Sequence, residues 1–218
     1  MRSRGMFITF EGCEKSGKST QAKLLSRYLR ARGLETLFIR EPGSTILGEK
    51  IRRILLDKKN DRMSMVTEML LYMASRAQLV EEVIRPALAQ GMVVLCDRFQ
   101  DSTLAYQGYG CGLDITVLEK TGRWATGGLT PDLTLLLDSW ESRDKLRRTS
   151  SPDRIESRPD AFHNRVKKGY RTLAGKYPGR IKTVRVQPSI RETQAKIREI
   201  VESCLLKKSL DKKRPSRS

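Results

Sequence analysis

The stretch Gly12-Cys13-Glu14-Lys15-Ser16-Gly17-Lys18-Ser19 decides how the whole chain is read. It fits GxxxxGK[ST], with an apolar run at 7–10 before it and a helical pattern from about Lys18 after it. Glycine at positions 12 and 17 admits backbone dihedrals and close approach that a Cβ would block. Successive backbone N–H groups then turn inward as an anion nest, backed by a helix N-terminus. A nucleoside triphosphate suits such a nest. Gly12, Cys13, Glu14, Lys15, Ser16, Gly17, Lys18, Ser19 and Thr20 are therefore expected to hold ATP, with Lys18 at its β- and γ-phosphates and the Ser19 hydroxyl as a ligand for Mg²⁺.

Around this loop, apolar runs bounded by turn residues alternate with longer helical patterns, the signature of a parallel sheet covered on both faces. Strands are expected at 6–10, 36–40, 92–97, 133–138 and 181–186. The fold class is α/β: a P-loop NTPase fold, a five-stranded parallel sheet with helices on both faces and a short lid. A helix from 20 to 32 should stop at Gly33, a C′ glycine. From 64 to 89, Val66, Met69, Leu70, Met73, Ala77, Val80, Ile84 and Ala87 recur at three- and four-residue steps and form one face of a long helix, bent or trimmed by Pro86. Ile190, Ile197, Ile200, Val201, Cys204 and Leu205 make a last amphipathic face. The segment 143–159, dense in Arg, Ser, Asp and Pro, has no apolar period and reads as a mobile charged loop between two helices, the kind that serves as a lid. Residues 1–206 make one domain. Residues 207–218, rich in Lys, Arg and Ser, are expected to form a disordered basic tail.

Asp97 closes the most apolar strand, at the carboxyl edge where open α/β sheets bind ligands. It suits two roles, holding the metal directly or through water, or capping the next helix. The net charge of +18 favours polyanionic partners, although a basic surface is also simply a well-solvated one. Hydrophobic content of 38% suffices for a single core, and aromatics at 6% leave aliphatic side chains to fill it. Four cysteines without a CxxC pair, and His163 as the one histidine, argue against a zinc site and against a disulfide framework. No run has the length to span a bilayer, so a soluble cytoplasmic protein is expected, with no membrane partner. Neither NKxD nor DxxG occurs, which argues against a GTPase switch.

The sequence resembles the thymidylate kinase family from about Met6 to Leu206. Phe10-Glu11-Gly12 runs into the P-loop. Arg40-Glu41-Pro42-Gly43, Tyr72-Met73-Ala74-Ser75-Arg76, Asp97-Arg98-Phe99 and Ser102-Thr103-Leu104-Ala105-Tyr106-Gln107-Gly108 follow in the family's order, and so do Pro131-Asp132-Leu133-Thr134 and Asp153-Arg154-Ile155-Glu156. The resemblance implies transfer of the ATP γ-phosphate to dTMP, giving dTDP and ADP for dTTP biosynthesis, in a homodimer. It implies that Arg98 and Arg52 hold the acceptor phosphate, that Arg76 reads the thymine O4, and that Tyr72 stacks on the base. Thr103 and Gln107 would line the base pocket, Glu14 would bind the sugar 3′-hydroxyl, and Glu41 joins them as a substrate-binding residue. Tyr72 and Arg76 also stand one helical turn apart, where stem packs against ring without any ligand.

Family members place the extra cation either in the P-loop or in the lid. Here the loop has Lys15 and the lid offers Arg147, Arg148 and Arg154. Lysine lacks the planar fork of arginine, so Arg154 or Arg148 is the expected transition-state cation. The acceptor phosphate, with a second pKa near ~6, needs no general base. The expected catalytic set is thus Lys18, Arg98, Arg154, Arg148 and Lys15, with Ser19 and Asp97 at the metal. Two rivals stand beside this reading: a kinase of another nucleotide or a nucleoside, the latter requiring a carboxylate base, and an RNA-binding ATPase drawn by the charge. No specific nucleic acid is expected.

Overall fold

The computed structural model describes residues 5–139 and 152–211. Five strands, β1 (Met6–Glu11), β2 (Thr36–Arg40), β3 (Val93–Asp97), β4 (Leu133–Asp138) and β5 (Ile181–Arg185), form one parallel sheet in the order β2-β3-β1-β4-β5. Each lies within a residue or two of its expected position. β1 is central, with Ile8 opposite Leu95 of β3 and Leu133 of β4.

Alternation along the inner strands divides the core. Met6, Ile8, Phe10, Val93 and Leu95 face one side, where α1 (Lys18–Ala31) and the Ile197–Val201 face of α8 (Ile190–Asp211) cover them. Phe7, Val94 and Cys96 face the other side and pack on Leu79, Val80 and Ile84. All these side chains are at most 3% exposed. A strand buried on both faces reads as a continuous apolar run, which is why the strands were legible.

α1 ends as expected. Gly33 at φ 79 and Leu34 donate back to Arg30 O and Leu29 O, the paired bonds of a left-handed helix stop. Side-chain oxygens cap the starts of several helices. Thr45 opens α2 (Ile46–Leu56), Ser64 opens α3 (Met65–Leu79), and Asp114 opens α6 (Ile115–Ala125). α1 differs: Gly17 is its N-cap, with no side-chain cap, so its first N–H groups are left for an anion.

The long helix expected at 64–89 departs from a plain α-helix. α3 runs into a π-turn at Val80–Ile84 and on through α4 (Arg85–Ala89), so Pro86 neither ends it nor stands alone. The wider turn takes up the register around a proline that has no N–H to donate. Val66 and Leu70, expected on its buried face, are each 52% exposed. They join Ile46, Leu47, Ile54 and Met65 as exposed apolar side chains on α2 and α3.

A second π-turn, Leu104–Gly110, continues the short α5 (Gln100–Thr103). It packs on α7 (Asp160–Lys176), where Gly110 lies against Phe162 and Gly169 against the Tyr109 ring. Of the expected lid, 143–151 lie outside the described residues, while 152–159 form a turn leading into α7. α8 continues past the expected domain boundary at 206 to Asp211, and Lys208 donates to Gly5 O and Asp132, while 212–218 lie outside the described residues.

Candidate active site

The carboxyl ends of β1, β2 and β3 deliver the site. β1 leads straight into the loop, where Gly12 sits at φ 132 and a Cβ would lie 2.6 Å from Leu137 O. Gly17, at φ 90, has open space around it, so dihedral freedom alone requires glycine there. Lys15 also takes a left-handed φ of 58. Lys18 folds back over the loop, its Nζ donating to Cys13 O at 2.7 Å and Gly12 O at 3.1 Å. Burial pushes its amine down to about 8, with Arg98 adding to the shift and Asp97 and Glu14 opposing it. Burial also pushes the Cys13 thiol up to about 11, so it is not a nucleophile at neutral pH.

Ser19 donates its hydroxyl to Asp97 Oδ2 at the exposed mouth of the loop. The cap alternative for Asp97 fails: Phe99 is the N-cap of α5, and its N–H donates to Glu11 Oε1 at 2.7 Å. Lys15, Ser16, Gly17, Lys18, Ser19, Thr20 and Asp97 line one open cleft, completed by Val186, Gln187, Pro188 and Thr193 from the loop after β5 and the start of α8.

A second cavity adjoins it, sharing Arg98 in its wall. All eight residues expected at the acceptor line it: Glu14, Glu41, Arg52, Tyr72, Arg76, Arg98, Thr103 and Gln107. Pro42, Leu56, Ser102, Tyr106, Asp153 and Ile155 complete its wall. Arg98 lines both spaces and is the seam between them.

Arg98 is held from several sides at a left-handed φ of 75. Its Nη1 donates to Gly12 O at 3.1 Å, and its Nη2 to Glu14 Oε1 and Tyr106 OH, both at 3.2 Å. Burial alone would raise the Glu14 carboxyl, but Arg98, Lys18 and the Tyr106 hydrogen bond outweigh it and hold Glu14 below the usual range. Behind Arg98, fully buried Glu11 accepts from Ser102 Oγ at 2.5 Å and Tyr170 OH at 2.9 Å, and both hydroxyls also face Arg98. Burial, reinforced by Asp101, lifts Glu11 to about 7.

Another part of the cavity wall is built on Arg76, which is 1% exposed. Glu41 accepts from its Nε at 2.8 Å, and burial outweighs that pairing and lifts Glu41 to about 7. Arg52 donates to Pro42 O at 3.0 Å. Tyr72 is not spent as packing for the Arg76 stem alone: it lines the cavity, and burial pushes its phenol up.

The lid expectation meets a different geometry. Arg154 lines neither space. Its Nη2 donates to Glu68 at 2.6 Å and its Nε to Leu55 O at 2.8 Å, with Arg158 on the same Glu68 oxygen at 2.6 Å. Glu68, 0% exposed, also accepts from Gln107 at 2.8 Å. Arg148 and Arg147 lie outside the described residues. Glu68 escaped notice because a first-turn helix glutamate ordinarily complements the helix dipole. Tyr170 carries no motif. Glu11 did leave a signal, a charged residue ending an otherwise apolar strand.

A phosphate loop at the carboxyl edge of a parallel sheet, joined through one arginine to a second polar cavity, defines a P-loop phosphotransferase. Residues 10–197 match the family model described as thymidylate kinase. The chain is 50% identical over 188 residues to a thymidylate kinase of an Exiguobacterium species, covering 85% of this chain and 89% of that one. It is 48% identical over 201 residues to that of Gloeobacter violaceus, covering 90% and 94%. The crystal structure of thymidylate kinase from Ehrlichia chaffeensis superposes with a TM-score of 0.76 at 32% identity, covering 91% of this chain and 99% of that one. The chain belongs to the thymidylate kinase family. No helix among the described residues is long and apolar enough to cross a membrane.

The Lys18 amine makes the site sensitive to alkali. Below about 8 it is charged, and as pH rises through that value it loses the proton and its attraction for a polyphosphate. The second-order rate constant kcat/KM for ATP, which reports the free enzyme, should therefore fall by about tenfold per pH unit above that midpoint. A pH–rate profile flat through pH ~9 would contradict the assignment.

Proposed function

We propose that this chain transfers the γ-phosphate of ATP to dTMP, giving dTDP and ADP. The observation that carries the reading is Arg98 at the seam, with the lysines of the phosphate loop on one side and, on the other, a cavity that gathers all eight residues expected at the acceptor. ATP lies along the loop with its terminal phosphates at Lys18 and Lys15. The dTMP phosphate meets Arg98 and Arg52, its sugar meets Glu14, and its base lies against Tyr72 and faces Arg76, Thr103 and Gln107. The dianionic acceptor attacks in line without a general base. What the residues supply is charge compensation and alignment.

Ser19 and Asp97 offer a hydroxyl and a carboxylate at the loop mouth, the hard oxygen donors that suit Mg²⁺. Bound there, the ion would neutralise phosphate charge. Of the two expected sources of extra positive charge, Lys15 lines the donor cleft while Arg154 is committed to Glu68. Lys15, beside Lys18 and Arg98 on the wall of that cleft, is the loop cation that we assign to the transferring group. The four thiols among the described residues are free, as suits the reducing cytoplasm.

A coupled assay of ADP release across dTMP, dUMP, CMP and thymidine tests the reading, with dTMP expected to be the preferred acceptor. Replacing Arg98 by Ala removes charge-assisted bonds and should raise the dTMP KM about tenfold or more, at little cost to the ATP KM. A shift confined to the ATP KM would show the two phosphate sites to be reversed.

The exposed Ile46, Leu47, Ile54, Met65, Val66 and Leu70 on α2 and α3 form the face through which we propose two copies pair. Sedimentation velocity should give a dimer that Leu70→Glu dissociates. A wild-type monomer at micromolar concentration would remove this part of the reading.

A further inference from the structure

Gln100 stands outside the acceptor cavity, yet its amide is locked at both ends. Its Nε2 donates to Leu118 O of α6 at 3.0 Å, and its Oε1 accepts from Arg76 Nη1 at 2.5 Å. The opposite amide orientation would set a donor against a donor, so the two contacts fix which end faces Arg76. The amide occupies space that exists because residue 122 is glycine, and a Cβ at Gly122 would fall onto the Gln100 amide. Gly122 is buried, in mid-helix, and its φ is not positive, so neither backbone strain nor a turn explains a glycine there. Room for Gln100 does.

The donor inventory of Arg76 shows what this contact accomplishes. A guanidinium has five N–H bonds in a rigid fork. Nε is taken by Glu41 at 2.8 Å. Nη2 is taken by Phe99 O at 3.1 Å and Thr103 Oγ1 at 3.0 Å. One Nη1 hydrogen is taken by Gln100. The last meets only the Met73 thioether, a weak acceptor at 3.6 Å. One N–H is therefore left without a strong acceptor, on a side chain that lines the acceptor cavity.

We propose that Gln100, seated against Gly122, is a positioning residue that orients Arg76 so that a single donor faces the acceptor base and selects a ring carbonyl over a ring amine. The inference rests on the reading of Arg76 as the group that meets the base. A 4-keto pyrimidine presents one acceptor to that one donor, whereas a 4-amino pyrimidine sets donor against donor and leaves the buried N–H unpaired. Without Gln100, the fork has a second free Nη1 hydrogen and one fewer restraint on its plane.

The test compares steady-state kinetics of Gln100→Met, which keeps the volume, with Gly122→Ala, Gln100→Ala, their double variant and Arg76→Lys, using dTMP and dCMP as acceptors. Gln100→Met should raise the dTMP KM about five- to tenfold and narrow the dTMP-over-dCMP preference by about tenfold, with the ATP KM within about twofold. Gly122→Ala should reproduce this effect alone and add nothing once Gln100 is Ala, because it acts only by displacing the amide. A wild-type dTMP KM and preference in Gln100→Met, an equal loss on the ATP KM, or additive effects of Gly122→Ala and Gln100→Ala would each overturn the proposal. Arg76→Lys separates the premise from the inference. If it leaves the dTMP KM unchanged, Arg76 does not meet the base and both fail. If it raises that KM while Gln100→Met does not, only the role of Gln100 fails.

Discussion

Two polyanions must be brought end to end, and their mutual repulsion is the constraint on which this structure depends. Two unit charges 4 Å apart interact by about 4 kcal/mol at the effective dielectric of a protein surface, and each substrate carries several. With the two substrates placed as proposed, Arg98 stands where that repulsion is greatest, since it borders both cavities. It cannot be a loose surface cation, because a flexible side chain would lose entropy at the moment of reaction. It is instead fixed beforehand by Gly12 O, Glu14, Tyr106, Ser102 and Tyr170. Positive charge arranged in advance is the form in which electrostatics most effectively lowers a barrier.

Holding that cation has consequences throughout the chain. Arg98 occupies a left-handed backbone conformation that a long side chain adopts only under constraint. The constraint comes from β1, whose last residue, Glu11, is buried and anchors Phe99 N, Ser102 and Tyr170 around it. Thus one strand supplies both the phosphate loop and the carboxylate that organises the arginine. The same economy recurs at the base end, where Glu68 ties Gln107 of the pocket to Arg154 and Arg158 of the segment leading into α7. Breaking such a buried charge group by removing one partner typically costs about 3–5 kcal/mol, so these residues are frame as much as function.

The sheet was legible because strands buried on both faces must be apolar throughout, and the loop because its glycines answer a steric demand written at fixed spacing. Motif resemblance carried the acceptor residues, and the structure gathers all eight into one cavity. What escaped has a common cause. Val66 and Leu70 follow the helical period and yet are half exposed, since periodicity marks an apolar face without saying what covers it. The π-turns at 80–84 and 104–110 leave no periodic trace, although the second one shapes the pocket. Arg154 looked like a mobile cation because its partner, Glu68, lies 86 residues away. Charge pairing at that distance is invisible to any window along the sequence, and so is the fit of Gln100 against Gly122.

The most direct measurement is calorimetric titration with one molecule carrying both nucleosides, adenosine and thymidine joined at their 5′ positions through a chain of bridging phosphates. If the two cavities meet end to end across Arg98, it should bind one per active site and far more tightly than ATP or dTMP alone, because the second end docks without a separate entropic cost. Affinity no better than that of ATP, with dTMP still free to bind alongside it, would show that the cavities are not aligned for transfer and would contradict the shared seam.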